Sequence, residues 1–493
     1  MKWLILVGLV NQFITKLVLI KETRWNFMKI NKFKLLGFSL LFASILAQAC
    51  TTILIGKGLT LNKSVIHAHN EDMGFSAVGR LWHVNAKTHD AGSTLDVPYM
   101  TIPQVKNSHA YWASGNAQAS TGLGLSSDVK PYDSVLVGIN QWGVTMSCNW
   151  MHSKEKVQDK KGIRRYAIRE LILERAKTAR QAVQIIGDFI EEYGQADWGG
   201  LDYNVADTNE AWVVETTSNH WVAKRINDDE IWVVANRFTI TTDFDLSSKD
   251  LIDNAIKQGW YNPNTDGKFN FRAAYGKLDK INQDYDIKRE NRAKNLLENK
   301  EGTLTAEDLF LVLRDRYEGS DAFTKPQKIE NWRETSEGKH IPRTISSNLG
   351  QSSSVAVLRR DMPIEVGAMM WYAMVSPQFS GYFPIYAGTN KIPQEMQNNT
   401  SINNKDSAWW TFKNLQKIGT ENFNSTFPVV NNFWKANHQE IVVKQKAVES
   451  EALKLISKGE HKKAMKLLNT FSYSQAKNVL YHGRRLLNYY KPL

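Results

Sequence analysis

Short segments in which apolar and polar residues alternate dominate the first half of the chain, a pattern typical of half-buried β-strands. Residues 51–56 and 65–69, separated by a polar turn, predict an antiparallel hairpin. Residues 134–139 and 144–148 predict a second hairpin around Trp142-Gly143. Further strands are predicted at residues 203–206, 211–216, 221–225, 231–235, 353–358 and 368–373.

The apolar period changes to three and four residues over 163–193, which predicts two successive helices ending before Gly194. Residues 305–316 predict a helix with Thr305 as its N-cap. The order strands, helices, strands, helix, strands favours an α+β fold with antiparallel sheets over alternating βαβ units. Residues 391–437 are polar and predict a loop or linker, and 438–493 predict amphipathic helices packed on the body.

The start of the chain has the composition of a leader. Residues 28–34 are basic, 35–46 are apolar, and Ala47-Gln48-Ala49 places small residues where a signal peptidase cleaves. We therefore expect residues 1–49 to be a leader, with the signal peptide at 28–49 and Cys50 as the first mature residue. Met28 is the expected start, and a longer tandem leader is the alternative. Export to the periplasm or the extracellular space follows.

Length and charge narrow the class of protein. Neither apolar run of the leader reaches the roughly 20 residues of a transmembrane helix, so no membrane span is expected. The leader contributes half of the net charge of +12 through seven basic residues and one acidic residue. The remaining excess is small for the length, and no basic block with interleaved aromatic residues is present, so nucleic acid is not an expected partner.

Cys50 is one of only two cysteines, the other being Cys148, which excludes a disulfide-built scaffold. A single Cys50–Cys148 bridge remains open. An N-terminal Cys50 would carry a thiol together with an amine of pKa near ~7.7–8.0, which can act as the base for that thiol. Local features leave three interpretations: a free catalytic N-terminus, a lipidated anchor, or a buried structural cysteine.

The segment from Cys50 to Lys57, followed by His69-Asn70-Glu71-Asp72, resembles the opening of dipeptidases with an N-terminal cysteine nucleophile, relatives of bile-salt hydrolases and penicillin V acylases. Similar blocks follow at residues 173–179, 210–215, 221–225, 234–237, 314–319, 343–346 and 381–388. The resemblance implies an N-terminal-nucleophile hydrolase fold, a four-layer αββα sandwich of two antiparallel sheets, over residues 50–390. The C-terminal helices would be an extension of it.

The resemblance also implies site roles. Cys50 would be the nucleophile, and Asp72 would position its amine. Asn236 matches the residue whose amide donates to the oxyanion, and Asn149 is a looser match for a second donor. Arg343 matches an arginine near the nucleophile, whose charge could lower the thiol pKa.

His69 departs from this pattern, because the similar block usually begins with arginine. Imidazole is smaller than guanidinium and mostly neutral at pH 7, so His69 would help the thiol less. His69 could work with His67, or both could be bystanders. A metal cluster of these histidines with Glu71 and Asp72 is a weaker interpretation, because further histidine ligands are lacking nearby. Neither a metal nor a cofactor is expected.

These observations predict an exported cysteine-type dipeptidase that acts on small peptides through a Cys50 acyl-enzyme. The free ends of a dipeptide would need an acid such as Glu215 or Glu71 and an arginine in the cleft. For Glu215, a purely structural role is an alternative of equal weight. The alternatives for the whole protein are a hydrolase of N-acyl amides or bile conjugates and a Cys50-lipidated surface binding protein.

Overall fold

The computed structural model describes residues 50–73, 78–117, 119–121, 124–126, 132–156, 161–196, 199–277, 279, 284–300, 302–323, 343–399 and 403–490. In these residues the strands are β1 (Thr51–Ile55), β2 (Val65–Asp72), β3 (Gly79–Val84), β4 (Lys87–Thr88), β5 (Thr94–Val97), β6 (Met100–Pro103), β7 (Asn107–Ser108), β8 (Tyr111–Asn116), β9 (Ala119–Thr121), β10 (Gly124–Ser126), β11 (Val135–Asn140), β12 (Thr145–Met151), β13 (Gly200–Ala206), β14 (Ala211–Thr216), β15 (Trp221–Ile226), β16 (Ile231–Val234), β17 (Leu246–Ser247), β18 (Gly350–Leu358), β19 (Ala368–Met374) and β20 (Phe383–Tyr386). The helices are α1 (Arg165–Arg175), α2 (Ala179–Tyr193), α3 (Leu251–Lys257), α4 (Phe271–Tyr275), α5 (Asp284–Leu297), α6 (Ala306–Leu313), α7 (Ile364–Gly367), α8 (Gln394–Gln397), α9 (Ala408–Glu421), α10 (Phe423–Ser457) and α11 (His461–Tyr490).

Two large sheets form the centre of the fold, and all their strand pairs are antiparallel. The first has the order β16-β1-β2-β18-β19-β20, and the second has the order β17-β15-β14-β13-β12-β11-β8-β3. Because β1 lies between β2 and β16, Thr52 pairs with His69 on one side and with Val234 on the other. The predicted hairpins at 51–69 and 134–148 are confirmed.

The two sheets face each other and carry helices on their outer faces, which gives the layers αββα. Strand β1 contacts β12 and β2 contacts β13, while α1 and α2 pack on the second sheet. Helices α5, α6 and α11 pack on the first sheet. The predicted α+β fold, a four-layer sandwich of two antiparallel sheets with a C-terminal helical region, is confirmed.

The predicted helices in the first two thirds of the chain are also confirmed. The 163–193 pattern forms α1 and α2, and Thr178 caps α2 by accepting a hydrogen bond from the Gln181 amide. Thr305 and Asp308 form a reciprocal capping box at the start of α6. No helix among the described residues is both long and apolar enough to cross a bilayer.

The prediction of a polar loop or linker at 391–437 is wrong. This stretch contains α8, α9 and the first part of α10, and the described residues from Cys50 onward form one compact unit. Within the polar sequence, Trp409, Phe412 and Trp434 are almost completely buried. These few aromatic side chains provide enough apolar area to dock the helices on the body, although the average composition is polar.

Helix α10 is fixed by buried polar contacts to residues that directly flank strands of the first sheet. The Nε2 atom of His438 accepts a hydrogen bond from the Tyr382 amide at 2.8 Å. Further along the helix, Glu449 forms a bidentate ion pair with Arg359 at 2.7 and 2.8 Å. Burial, followed by the positive charge of Arg314, holds the pKa of His438 well below its ordinary value. The His438 ring must therefore be neutral for α10 to dock.

We expect His438→Gln to change the pH dependence of stability. Below pH about 6.5 the unfolded chain takes up a proton at residue 438 that the folded chain excludes, so His438 destabilises the wild type progressively as pH falls. Glutamine can accept the same hydrogen bond without titrating. Relative to the wild type, the variant should gain up to about 1.4 kcal/mol of unfolding free energy per pH unit between pH about 6.5 and 5.

Chemical denaturation of both proteins at several pH values measures this difference. Taking the difference cancels the contributions of the other titrating groups, which both proteins share. A pH-independent difference would show that His438 does not titrate on unfolding.

Candidate active site

Cys50 lies directly before β1 and faces the end of β2. The β1–β2 register pairs Thr51 with Asn70, which places Cys50 opposite Glu71. The Cys50 Sγ atom is 3.4 Å from Glu71 Oε1 and 3.9 Å from the Asp72 carbonyl oxygen. All of these residues are buried. Glu71 is therefore a direct neighbour of the thiol, a contact that the sequence did not predict.

A directed chain of hydrogen bonds leads from β12 to this carboxylate. The Asn149 amide nitrogen donates to the Val234 and Ala235 carbonyls at 3.2 and 2.7 Å, which fixes the orientation of the amide. Asn149 Oδ1 therefore accepts from the Thr52 hydroxyl at 2.7 Å. With that proton used, Thr52 Oγ1 accepts from His69 Nδ1 at 2.8 Å.

The chain ends with two acceptors facing each other. His69 carries its proton on Nδ1, so the lone pair of a neutral His69 points from Nε2 toward Glu71 Oε2 at 3.1 Å. A proton or another cation must lie between these atoms. A protonated His69 would form an ion pair with Glu71 beside the thiol. It would then place a positive charge where the dipeptidase family usually has arginine.

The hydrogen bonds of Asn149 differ from those expected of an oxyanion donor. Both of its N–H groups are used by the Val234 and Ala235 carbonyls. Its observed contribution is to orient Thr52, and through Thr52 the ring of His69. In this arrangement no donor of Asn149 is left for a second oxyanion contact.

Asn236 is held next to Cys50 by a buried arginine that the sequence did not indicate. Arg289, on α5, donates to the Cys50 carbonyl oxygen at 3.0 Å and to Asn236 Oδ1 at 2.8 Å. The same guanidinium donates to the Thr51 hydroxyl at 3.1 Å and to Asp286 at 2.6 Å. Arg289 is fully buried. One planar group thus links the main chain of the cysteine to the side chain of the predicted oxyanion donor.

The amide of Asn236 is oriented by this contact. Because its oxygen accepts from Arg289, its nitrogen points away, and one N–H donates to the Trp150 carbonyl at 3.0 Å. An amide nitrogen carries two N–H groups. Among the described residues, Asn236 therefore retains a second N–H in a fixed orientation, as an oxyanion donor requires.

Asp72 is a buried carboxyl group that lies within electrostatic reach of Arg289 and Arg343. Within the described part of the chain no donor meets full hydrogen-bond geometry at either of its oxygens. Burial raises its pKa to about 8; the charge of Arg289 opposes this, Glu71 reinforces it, and Arg343 and the Ser347 side chain lower the pKa again. The structure therefore brings Asp72 and Arg343 together, and the Asp72 oxygens keep acceptor capacity for an added cationic group.

The surroundings of Cys50 favour the protonated form of its thiol. Burial raises the pKa of Cys50 well above its ordinary value, and the charges of Glu71 and Asp72 raise it further. A hydrogen bond with the Asp72 backbone and the positive charge of Arg169 lower it. Arg169 lies on α1, is fully buried, and donates to the Val135 carbonyl at 3.3 Å.

Arg169 and Arg289 were missed for different reasons. Arg169 interrupts the apolar stripe of the 163–193 pattern, so a charged residue at a buried helical position was a signal that could have been read. Arg289 and Asp286 have the i, i+3 spacing of an ordinary surface ion pair on a polar helix. Nothing in the local sequence shows that this pair is buried.

Glu215 lies on β14 and binds the loop that follows β16. Its carboxylate accepts hydrogen bonds from the amide and hydroxyl of Thr239 and from the amide of Ile240. Burial raises its pKa to about 7, and the Thr239 contacts lower it. Of the two interpretations left open for Glu215, these bonds favour the structural one.

Residues 49–436 match the model of Peptidase family C69, a match over most of the chain. The protein belongs to peptidase family C69. This C69 chain is 24% identical to "Probable dipeptidase" of Latilactobacillus sakei, over 82% of this chain and 89% of that protein. It is 26% identical to "Probable dipeptidase" of Salmonella dublin, over 69% and 81%. It is 25% identical to "Probable dipeptidase B" of Streptococcus pyogenes serotype M1, over 76% and 78%.

A solved structure is also similar to this C69 chain. A mutant conjugated bile acid hydrolase from Clostridium perfringens matches with a TM-score of 0.37 and 14% identity, over 71% of this chain and 95% of that chain. Family membership identifies the protein as a peptidase-type hydrolase. The structure groups the predicted site residues around the start of β1 and the end of β2. They are Cys50, His69, Asp72, Asn149, Asn236 and Arg343.

We expect Arg289→Lys to lower kcat for peptide hydrolysis by about 10²-fold with a smaller change in KM, because the loss of a fixed oxyanion donor has an effect of that size. Lysine keeps the charge but not the planar fork that holds Asn236 and the Cys50 carbonyl together.

Arg292→Lys is the matched control. Arg292 lies one turn further along α5 and is partly exposed, paired with Asp315. Steady-state kinetics, with thermal unfolding to verify folding, compare the two variants. Equal kcat values in folded Arg289→Lys and wild type would show that Arg289 does not position the site.

Proposed function

We propose that the protein is a cysteine-type dipeptidase whose nucleophile is the Cys50 thiolate, formed after removal of residues 1–49. The observation that carries this proposal is the single guanidinium of Arg289, which joins the Cys50 carbonyl to the Asn236 amide. A nucleophile and a donor held by one rigid group have the fixed geometry that attack on a carbonyl requires.

Cleavage after Ala49 would supply the missing base. In the uncleaved chain the Cys50 nitrogen is a peptide nitrogen and cannot accept a proton. The released amine can take the thiol proton, and the Asp72 oxygens, which lack a well-formed donor in the described residues, can hold the resulting ammonium in place. Proteolysis and activation are then the same event.

Hydrolysis would proceed in two stages. The Cys50 sulfur attacks the peptide carbonyl carbon, and the oxygen that becomes negative receives the free N–H of Asn236. The Cys50 ammonium gives its proton to the leaving amine as the carbon–nitrogen bond breaks, leaving a thioester. Water then attacks the thioester with the Cys50 amine as base, and the acid product and thiol are released.

The choice of dipeptides rests on Glu71 and on the relatives. In a dipeptide the free ammonium lies next to the scissile carbonyl, so a carboxylate close to the nucleophile can bind it. Glu71 Oε1 is 3.4 Å from the thiol. Relatives from Latilactobacillus sakei and Salmonella dublin carry the name "Probable dipeptidase". Small peptides are thus the proposed substrates.

Export is the proposed route to maturation. The basic, apolar and small-residue segments that precede Cys50 have the form of a signal peptide. The mature protein would then act in the periplasm or outside the cell. Lipidation of Cys50 would block the amine and the thiol, and would instead make the chain an anchored binding protein.

Intact-mass analysis of the exported protein should show a chain that begins at a free Cys50. Cys50→Ala should reduce dipeptide hydrolysis by more than about a thousandfold, since catalysis without its nucleophile falls by at least this factor. Cys148→Ala is the control, because Cys148 is buried in the separate core between the second sheet and α1. A lipid on Cys50, or an active Cys50→Ala variant, would refute the proposal.

A substrate panel separates the dipeptidase from the other hydrolases of this fold. We expect free dipeptides to be cleaved at least about tenfold faster, by kcat/KM, than the same dipeptides N-acetylated, since acetylation removes the ammonium and tenfold corresponds to about 1.4 kcal/mol. Glu71→Gln should narrow this ratio. Faster cleavage of N-acyl amino acids or bile conjugates would identify an acylase instead.

A further inference from the structure

Three potential metal ligands of different types meet at the candidate nucleophile. The Cys50 sulfur, a ring nitrogen of His69 and a carboxylate oxygen of Glu71 all lie within 4.8 Å of one another. All three residues are at most 1% exposed. Thiolate, imidazole and carboxylate are the three ligand classes that proteins use for Zn²⁺.

The two carboxylate oxygens of Glu71 lie at zinc-ligand separations from the other two residues, Oε1 from the Cys50 sulfur and Oε2 from the His69 ring nitrogen. With Zn–S of about 2.3 Å and Zn–O of about 2.0 Å, tetrahedral angles place sulfur and oxygen about 3.5 Å apart. Cys50 Sγ and Glu71 Oε1 are 3.4 Å apart. The same geometry places nitrogen and oxygen about 3.3 Å apart. His69 Nε2 and Glu71 Oε2 are 3.1 Å apart.

The protonation pattern prepares His69 for a cation. Its Nδ1–H is used by Thr52, whose own proton is used by Asn149, so Nε2 is the nitrogen that faces Glu71. In metal-bound histidines, the ring nitrogen that does not bind the metal usually donates such a hydrogen bond. This bond orients the ring and selects its tautomer. The facing acceptors of His69 and Glu71 need a positive charge between them, and a metal ion satisfies that need as well as a proton does.

We propose that Cys50, His69 and Glu71 form a binding site for one Zn²⁺ ion, and that zinc inhibits the enzyme there. An arginine at position 69 would exclude the metal, because guanidinium has no lone pair to donate at any accessible pH. The site is therefore specific to a chain with histidine at this position. Three protein ligands leave a fourth coordination position open, and the amine of a mature Cys50 would be a further potential ligand on the same residue.

Binding has a simple balance. Zn²⁺ replaces the thiol proton on Cys50 and any proton held between His69 and Glu71, and these protons pass to solvent. A sulfur bound to zinc cannot attack a carbonyl, and a Glu71 bound to zinc cannot hold the substrate ammonium. Inhibition should therefore be competitive with the dipeptide. This inhibitory effect rests on the proposed function, whereas metal binding does not.

Binding is measured first, without reference to activity. The mature protein, freed of metal, is titrated with Co²⁺ while thiolate-to-metal charge-transfer absorption is recorded, and Zn²⁺ is then added as a competitor. We expect one ion per chain, a thiolate band that zinc abolishes, and release of protons on binding. Cys50→Ala should lose the band, and His69→Arg should bind at least about tenfold more weakly.

Two controls match these variants. Cys148→Ala keeps the proposed ligands and should retain the thiolate band. His67→Gln removes the other histidine of β2, whose two nitrogens contact Thr145 and Ser147 at 2.9 and 2.8 Å, and should retain zinc affinity. Loss of the band in folded Cys148→Ala, or equal zinc affinity in wild type and folded His69→Arg, would overturn the site, as would absence of stoichiometric binding.

Inhibition is tested separately, as the ratio of dipeptide hydrolysis rates with and without Zn²⁺ in each protein. Zinc should raise KM in the wild type at the concentrations that fill the site, and should have at least about tenfold less effect on His69→Arg. Stoichiometric binding to a protein that cleaves no dipeptide would refute the proposed function and keep the metal site. Cleavage by a protein that binds no zinc would do the reverse.

Discussion

The antiparallel pairing of β1 with β2 is the constraint on which the rest of the site depends. Its register places Cys50 opposite Glu71 and Thr52 opposite His69. Because side chains alternate between the faces of a strand, Thr52, His69 and Glu71 all point toward the second sheet. A slip of one residue would turn this polar row toward the outer helices and remove every contact of the thiol with β2.

Buried charge is the second feature of the site. The free-energy cost of desolvating it explains why the layers are joined by so many hydrogen bonds here. Arg289 and Asp286 are almost completely buried, and an isolated charge in such a position would be strongly unfavourable. The ion pair between them and the hydrogen bonds that Arg289 donates to Cys50, Thr51 and Asn236 offset that cost, since fixed acceptors replace water. The same bonds hold α5 against β1, so packing of this helix and orientation of the site are one structural event.

The contact between His69 and Glu71 connects the two proposals. His69 Nε2 and Glu71 Oε2 are both acceptors when His69 is neutral, so a proton or a metal ion can bind between them. With a proton, His69 is an imidazolium beside the thiol, and Arg169 adds its charge from α1. With zinc, the thiolate becomes a ligand and is no longer a nucleophile. One substitution in a block that otherwise resembles the family thus changes what the site can bind.

Much of the molecule could be predicted from the sequence. Alternating strands, two successive helices and the Thr305 cap follow from local patterns, the order of elements favoured an α+β fold, and the family resemblance of the motifs after Cys50 implied the four-layer sandwich. The resemblance of short blocks to the dipeptidase family selected Cys50, His69, Asp72 and Asn236, which lie on or next to strands. The helices at 408–457 were missed in part, since a few buried aromatic residues, rather than the average composition, dock them on the body.

Only the tertiary structure decided which groups face one another. Arg169 and Arg289 approach Cys50 from helices more than a hundred residues away, and no local signal reports the burial of Arg289. The commitment of the Asn149 amide to main-chain carbonyls and the facing acceptors of His69 and Glu71 also depend on strand pairing and on sheet packing. Local residue patterns determine the elements, whereas distances across layers depend on how the whole core closes.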